Sequence, residues 1–264
     1  MKETLYIVKI GGNVIDQESE LNSFLRDFSQ IKEKKILVHG GGKVATQIGN
    51  KLGIKPNYHE GRRITDDETI DLVTMVYGGL INKKIVASLC SLENNALGLT
   101  GADSNLILAH KRPLKNGINF GWVGDIDSVN SEVIDGFLNS GILPVLAPLT
   151  SDGNGHLLNT NADTIASSVA QAMTEYYDVK LIYCFEKYGV LKDVNDDNSF
   201  IQDLQKSEYE LMAENGLIHA GMLPKLANAF KSLEKGVLEV VIGHSQKVKE
   251  LTQKNFNQCT RIRN

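Results

Sequence analysis

Leu5-Tyr6-Ile7-Val8-Lys9-Ile10-Gly11-Gly12 is the stretch on which the reading of the chain turns. A short β-branched run passes straight into a glycine pair. That is the pattern of a strand whose end lets backbone N–H groups approach an anion with no Cβ in the way. Lys9 interrupts the apolar run, and inside a buried strand its ammonium must reach the strand end or be neutralised, because an unpaired buried charge is expensive. The pattern recurs at Lys35 to His39, which runs into Gly40-Gly41-Gly42. Helical segments follow both turns: Leu21, Phe24, Leu25, Phe28 and Ile31 are spaced along one face, and Lys43 to Leu52 is a second helix. Strands alternating with helices predict an α/β fold on a mainly parallel sheet, with both turns at the carboxyl edge where such sheets bind ligands. Neither turn is a P-loop, since Gly42-Lys43 lacks the four-residue spacer and the following Ser or Thr.

Further along, Asp66 caps a long helix running to about Leu92, interrupted near Gly78-Gly79. Its stripe of Leu72, Met75, Val76 and Leu80 reads as core packing, with part of it open to a symmetry mate. Leu97 to Val129, with several glycines and Phe120-Gly121-Trp122-Val123-Gly124, reads as strands and hairpins. Ile142 to Ala147 is a strand containing Pro144, and Asn161 to Thr174 is a helix. Val179 to Phe185 and Val237 to Ile242 are strands, with a helix between them at Met222 to Lys235. Asn195 to Ser199 is a polar surface excursion.

At 264 residues the chain is long enough to bury a full core without staples. Its formal net charge of -4 argues against a general nucleic-acid or membrane-surface binder. Cys90, Cys184 and Cys259 follow no metal-ligand spacing and read as thiols in a reducing compartment. No signal peptide precedes the first strand, and no run reaches the roughly 18 uninterrupted apolar residues of a membrane span, so the expected location is the cytoplasm.

Two further motifs carry charge to helix starts. In Gly221-Met222-Leu223-Pro224-Lys225 a cation sits where the helix dipole disfavours it, so Lys225 gains from an anion nearby. Asn159-Thr160-Asn161-Ala162-Asp163 gathers two carboxamides and a carboxylate around another helix start, and capping explains one of the three. These residues suit attack by a carboxylate on a phosphoryl group. Such a nucleophile is already ionised at pH 7 and needs no general base. Its difficulty is like-charge repulsion, which lysines, backbone N–H groups and Mg²⁺ offset.

In this order the segments resemble the amino acid kinase family over nearly the whole chain, and within it the members acting on N-acylated glutamate. They are Ile7-Val8-Lys9-Ile10-Gly11-Gly12, Leu37-Val38-His39-Gly40-Gly41-Gly42, Gly61-Arg62-Arg63-Ile64-Thr65, Leu99-Thr100-Gly101-Ala102-Asp103, the Asn159 to Asp163 motif and the Gly221 to Lys225 motif. The resemblance implies a three-layer αβα sandwich, mainly parallel at its centre. It would be a single domain with an acyl-amino-acid lobe at 1–173 and a nucleotide lobe at 174–264. It implies ATP and Mg²⁺ as cofactors and phosphorylation of the γ-carboxylate of N-acetyl-L-glutamate, or another N-acylglutamate, in arginine biosynthesis. Lys9 and Lys225 would stabilise the transition state, with Asp163 as their organiser. Gly11 and Gly12 would donate to the transferring phosphoryl group, Gly41 and Gly42 to the acceptor carboxylate. Arg63 and Asn159 would hold the amino acid end of the substrate, and Glu186, Gly189, Leu191, Leu217 and His219 would surround the nucleotide.

Three positions depart from the family pattern. Glu186 stands where relatives often carry aspartate, Arg62 stands where an apolar residue is common, and the first strand begins too early for the N-terminal helix of arginine-inhibited hexamers. A homodimer is therefore expected, with small molecules as its other partners. Arg62 is a spare guanidinium for a second carboxylate on the acyl group, unless strand alternation turns it to solvent. Two competing functions remain open: another carboxylate kinase of the family, and a non-catalytic amino acid or nucleotide sensor, against which Lys9, Asp163 and Lys225 together speak.

Overall fold

The computed structural model describes residues 2–59, 62–114, 117–193, 195–216, 218 and 222–263. The chain opens with β1 (Thr4–Ile10), α1 (Gly12–Asp16), α2 (Glu18–Ser29), β2 (Lys34–His39) and α3 (Gly42–Lys51). A hairpin, β3 (Asn57–His59) with β4 (Arg62–Ile64), leads to α4 (Asp67–Val73), a π-helical stretch Thr74–Ile81, and α5 (Asn82–Ser91). Then come β5 (Ala96–Leu99), β6 (Ile107–Lys111), β7 (Gly124–Val129), α6 (Ser131–Asn139), β8 (Leu143–Leu146), β9 (Leu149–Ser151), β10 (Leu157–Asn159) and α7 (Ala162–Met173). The last part holds β11 (Asp178–Phe185), β12 (Asp203–Gln205), α8 (Lys206–Glu214), α9 (Leu223–Glu234), β13 (Glu239–His244), α10 (Val248–Leu251) and β14 (Cys259–Arg263).

Eight strands form the main sheet in the order β12-β14-β13-β11-β1-β2-β8-β5, and the pairings from β13 through to β5 are all parallel. Alternation along β1 sends Leu5 and Ile7 to one face, against buried residues of α6, α7, α8 and α9. Tyr6, Val8 and Ile10 go to the other, against residues of α1 to α5, the π stretch and α10. Helices on both faces of a parallel sheet make the expected αβα sandwich, which is why its central strands read as nearly continuous apolar runs. A second, four-stranded sheet, β10-β9-β6-β7, takes β6 and β7 from the region read as strands and hairpins and β9 and β10 from beyond it. The elements α6, β9, β10, β12, α8, α10 and β14 were not anticipated from sequence.

The interruption expected near Gly78-Gly79 is the π stretch, and Asp66 caps the segment by accepting from Thr69 N at 2.9 Å. The extra residue per turn splits the anticipated stripe: Leu72 and Val76 are buried, while Met75 is 57% and Leu80 39% exposed. Among the described residues, Asp67–Ser91 is long and apolar enough to cross a membrane. Here Leu72, Val76, Ile81, Ile85 and Leu89 pack into the interior, so it serves as a core helix.

Two titratable groups of β2 are buried for structural ends. Lys35 Nζ donates to the carbonyls of Phe28, Ser29 and Ile31, closing the C-terminus of α2. His39 Nδ1 donates to Gly40 O at 2.8 Å, while Nε2 accepts from Asn82 Nδ2 at 3.2 Å, an arrangement that the neutral ring satisfies. Burial pushes its pKa down to about 4. The unfolded chain therefore binds a proton below about pH 6.5 that the folded chain refuses until about pH 4, so stability contributed at neutral pH is lost across that window. The loss from this residue should approach about 3 kcal/mol, and His39→Gln should flatten the dependence of urea-unfolding free energy on pH between 6.5 and 4. An unchanged slope in that variant would contradict the assignment.

Candidate active site

Three charged side chains from three different elements meet at the carboxyl end of the sheet. Lys9 is the next residue after Leu5 and Ile7 on the face covered by α7 and α9, and it pairs in register with Tyr183 of β11 and Val38 of β2. Instead of an apolar partner its ammonium meets Asp163 Oδ1 at 2.8 Å. Lys225 donates to Oδ2 of the same carboxylate at 2.9 Å, with its ammonium 4.8 Å from the centre of the Tyr183 ring. Burial opposes ionisation of Asp163, but the two ammoniums outweigh it and hold the carboxyl far below the usual carboxylate range. Burial and the like charge of Lys9 lower the pKa of Lys225, while Asp163 and Glu186 oppose that shift.

Helix ends account for the placement. Asn161 is the N-cap of α7, its Oδ1 accepting from Asp163 N at 2.8 Å and Thr164 N at 3.2 Å. That sets Asp163 in the first turn, where the dipole favours an anion. Lys225 stands in the first turn of α9 behind Pro224, against the dipole of its own helix, and Asp163 is the countercharge that makes the position tenable. Of the Asn159 to Asp163 motif, capping accounts for Asn161 alone. Asn159 instead donates through Nδ2 to Thr65 Oγ1 at 3.0 Å and joins its backbone N to Trp122 O at 2.8 Å.

A cavity of about 600 Å³ is lined by both glycine turns, through Gly12 and Gly42, together with Tyr58, Thr46, Lys43 and Glu186. The glycines fall into two kinds. A Cβ on Gly41 would come 2.5 Å from Ile81 Cδ1 and 2.9 Å from Tyr77 Cδ1, so the π stretch presses directly on that turn. Gly189 likewise has no room, since a Cβ would lie 2.2 Å from Thr260 Oγ1. At Gly11 and Gly12 the nearest atoms would be 3.8 and 3.9 Å away, and at Gly42 nothing lies within 4 Å. Packing does not demand glycine at those three; the space they leave opens beside Lys9 and onto the cavity.

Arg63 is buried rather than a surface hairpin charge. Its Nη2 donates to Gly42 O at 3.0 Å, Thr46 Oγ1 at 2.7 Å and the Tyr58 hydroxyl at 2.6 Å, and no carboxylate among the described residues pairs with it. Arg62, one residue earlier on β4, is exposed, and its charge helps depress Asp125 after the larger effect of Arg112. The two guanidiniums leave opposite faces, so Arg62 does not join Arg63. Tyr58, Thr46 and Tyr183 escaped the sequence reading. Tyr58 is the cross-strand partner of Arg63, a relation that only the hairpin register reveals.

Glu186 lines the cavity, while Gly189 is buried and Leu191 forms an isolated bridge with Phe200. Leu217 and His219 lie outside the described residues, as do Gly61 and Gly221.

Curated relatives match end to end. The chain is 53% identical over 260 residues to the acetylglutamate kinase of Cytophaga hutchinsonii, covering 98% of each chain. It is 48% identical over 263 residues to that of Bacteroides thetaiotaomicron, covering 100% of each. Among solved structures, a Streptococcus mutans protein superposes with a TM-score of 0.79 at 27% identity, covering 98% of each chain. Residues 4–244 match the amino acid kinase family, and the chain belongs to that family.

Proposed function

We propose that the protein transfers the γ-phosphoryl group of ATP to the γ-carboxylate of N-acetyl-L-glutamate, giving an acyl phosphate in arginine biosynthesis. The observation that carries this reading is Asp163 held between Lys9 and Lys225, a cluster of net charge +1 beside two glycine turns. The acetylglutamate kinases to which the chain is about half identical support the choice of acceptor.

The chemistry follows from charge. An ionised carboxylate approaching a phosphoryl group meets about 4 kcal/mol of repulsion per charge pair at 4 Å and an effective dielectric near 20. Lys9 and Lys225 are already oriented by Asp163, so their stabilisation of the transition state costs little reorganisation. Gly11 and Gly12 would donate to the moving phosphoryl group, Gly41 and Gly42 to the acceptor carboxylate. Arg63, unpaired with any described carboxylate, would take the α-carboxylate of the substrate, with Asn159 beside it. Mg²⁺ would arrive on the nucleotide phosphates. When bound, that ion supplies positive charge to those oxygens.

On this reading residues 1–173 bind the acyl amino acid and residues 174–264 the nucleotide, with Glu186, Gly189 and Leu191 on the nucleotide side. The proposed setting is the cytoplasm. The proposed assembly is a homodimer, supported by the exposed Met75 and Leu80 of the π stretch and by Leu97 on the edge strand β5.

With MgATP and N-acetyl-L-glutamate, hydroxylamine should trap the product as a hydroxamate; free glutamate turned over at least as efficiently would refute the acceptor. Lys9→Ala and Lys225→Ala should lower kcat by roughly 10²–10³-fold, since both act on charge that develops during transfer. Arg63→Ala should instead raise KM for the acyl amino acid and leave KM for ATP nearly unchanged, and the reverse split would move Arg63 to the nucleotide. Light scattering should give the mass of a dimer, and Met75→Glu should shift it toward the monomer if that face is the interface.

A further inference from the structure

A carboxylate that the Lys9–Asp163–Lys225 cluster does not use lies behind Lys43, a residue of the cavity wall. Asp16 closes α1, and its side chain is 13% exposed. Its Oδ1 is fully buried and accepts no hydrogen bond among the described residues. Its Oδ2 lies 3.8 Å from Lys43 Nζ, near enough for attraction and too far for a hydrogen bond. Burial raises the pKa of Asp16, and Lys43 opposes that shift. A carboxylate left half-paired in this way costs stability that a neutral side chain of the same shape would spare.

Lys43 has an unusual course. Its backbone belongs to the Gly42 turn, on the acceptor side, yet its side chain crosses to the other turn. A Cβ on Gly12 would lie 3.9 Å from Lys43 Cγ, and the ammonium donates to Asn13 Oδ1. The Lys43 side chain is 62% exposed, so most of it is open to solvent. It lines the cavity together with Gly12 and with Glu186 from the far part of the chain. The ammonium therefore stands over the turn proposed to receive phosphate, not over the one proposed to receive the acceptor carboxylate.

We propose that Lys43 is a third cation of the transfer site, contacting the β- and γ-phosphates of the bound nucleotide across Gly12, and that Asp16 is a positioning residue which keeps it there. This deepens the phosphotransfer reading and rests on it. In the structure the ammonium rests on Asn13 within the field of Asp16. With nucleotide bound it exchanges Asn13 for phosphate oxygens while Asp16 keeps it at the Gly12 side of the cavity.

Calorimetric binding of a non-hydrolysable ATP analogue and of AMP to the full chain tests the proposal without an acceptor. Lys43→Met should weaken the analogue about tenfold or more and leave AMP within about twofold, because a charge-assisted contact to the outer phosphates is what it removes. Lys43→Arg should recover part of the loss. Asp16→Asn should weaken the analogue less than Lys43→Met does, and should add nothing in the Lys43→Met background. Unchanged affinity for the analogue in Lys43→Met, or an equal loss for AMP, overturns the proposal. Additive losses in the double variant overturn the role given to Asp16. A parent protein that follows the expected pattern yet phosphorylates no N-acylglutamate overturns the acceptor assignment and leaves Lys43 standing. A parent that binds no nucleotide overturns both.

Discussion

A single carboxylate shared between two ammoniums is the constraint around which the rest of the site is arranged. Asp163 comes from the first turn of α7, Lys9 from the end of β1 and Lys225 from the first turn of α9, so the cluster exists only once both helices have packed on one face of the sheet. Burying these charges is costly, and the energy is recovered only in part by their mutual attraction. The helix dipoles act unevenly: they favour Asp163 and disfavour Lys225. Without Asp163, Lys9 and Lys225 would repel each other beneath a low-dielectric layer, and each would tend to lose its proton or its position.

The residual charge of this cluster explains why the neighbouring backbone looks as it does. Two positive charges balanced by one negative leave an unsatisfied demand for anions at the sheet edge, and the backbone of Gly11, Gly12 and Gly42 meets open space there. Gly41 and Gly189 are glycines for another reason, since side chains of the π stretch and of β14 already occupy the volume a Cβ would need. The π stretch thereby links the long helical segment to the turn that faces the cavity. An inserted turn of that kind, widened by one residue, also explains why Met75 and Leu80 point outward while Leu72 and Val76 stay in the core.

Much of the fold was legible because strand and helix periodicities differ and glycine marks where one gives way to the other. The run from Leu5 to Gly12 could be read as strand and turn without knowing what lies beside it, and the same holds for Asp66 as a cap. The ends of the chain's last part were harder. β12 and β14 are short, and β14 pairs parallel with β12 and antiparallel with β13, a topology that no local pattern announces. Of the candidate residues, Lys9, Asp163 and Lys225 stood out because each was out of place locally: a cation in a strand, a cluster of polar residues exceeding what a cap needs, and a cation at a helix start. Tyr58 and Asp16 gave no such signal, since an exposed-looking tyrosine and a helix-terminal aspartate are ordinary in isolation.

The sequence by itself determined the α/β class, the two glycine turns at the carboxyl edge and the identity of the three charged residues that required an explanation. Those follow from short-range rules: side-chain period, capping chemistry and the cost of a charge within an apolar run. The family resemblance implied that Asp163 organises Lys9 and Lys225, but only the tertiary structure put the three in contact, turned Arg63 inward and Arg62 out, and leaned Lys43 from one glycine turn over the other. Each of these is a relation between residues far apart in the chain or on opposite faces of a strand. Such relations are set by packing and register, which no local preference specifies.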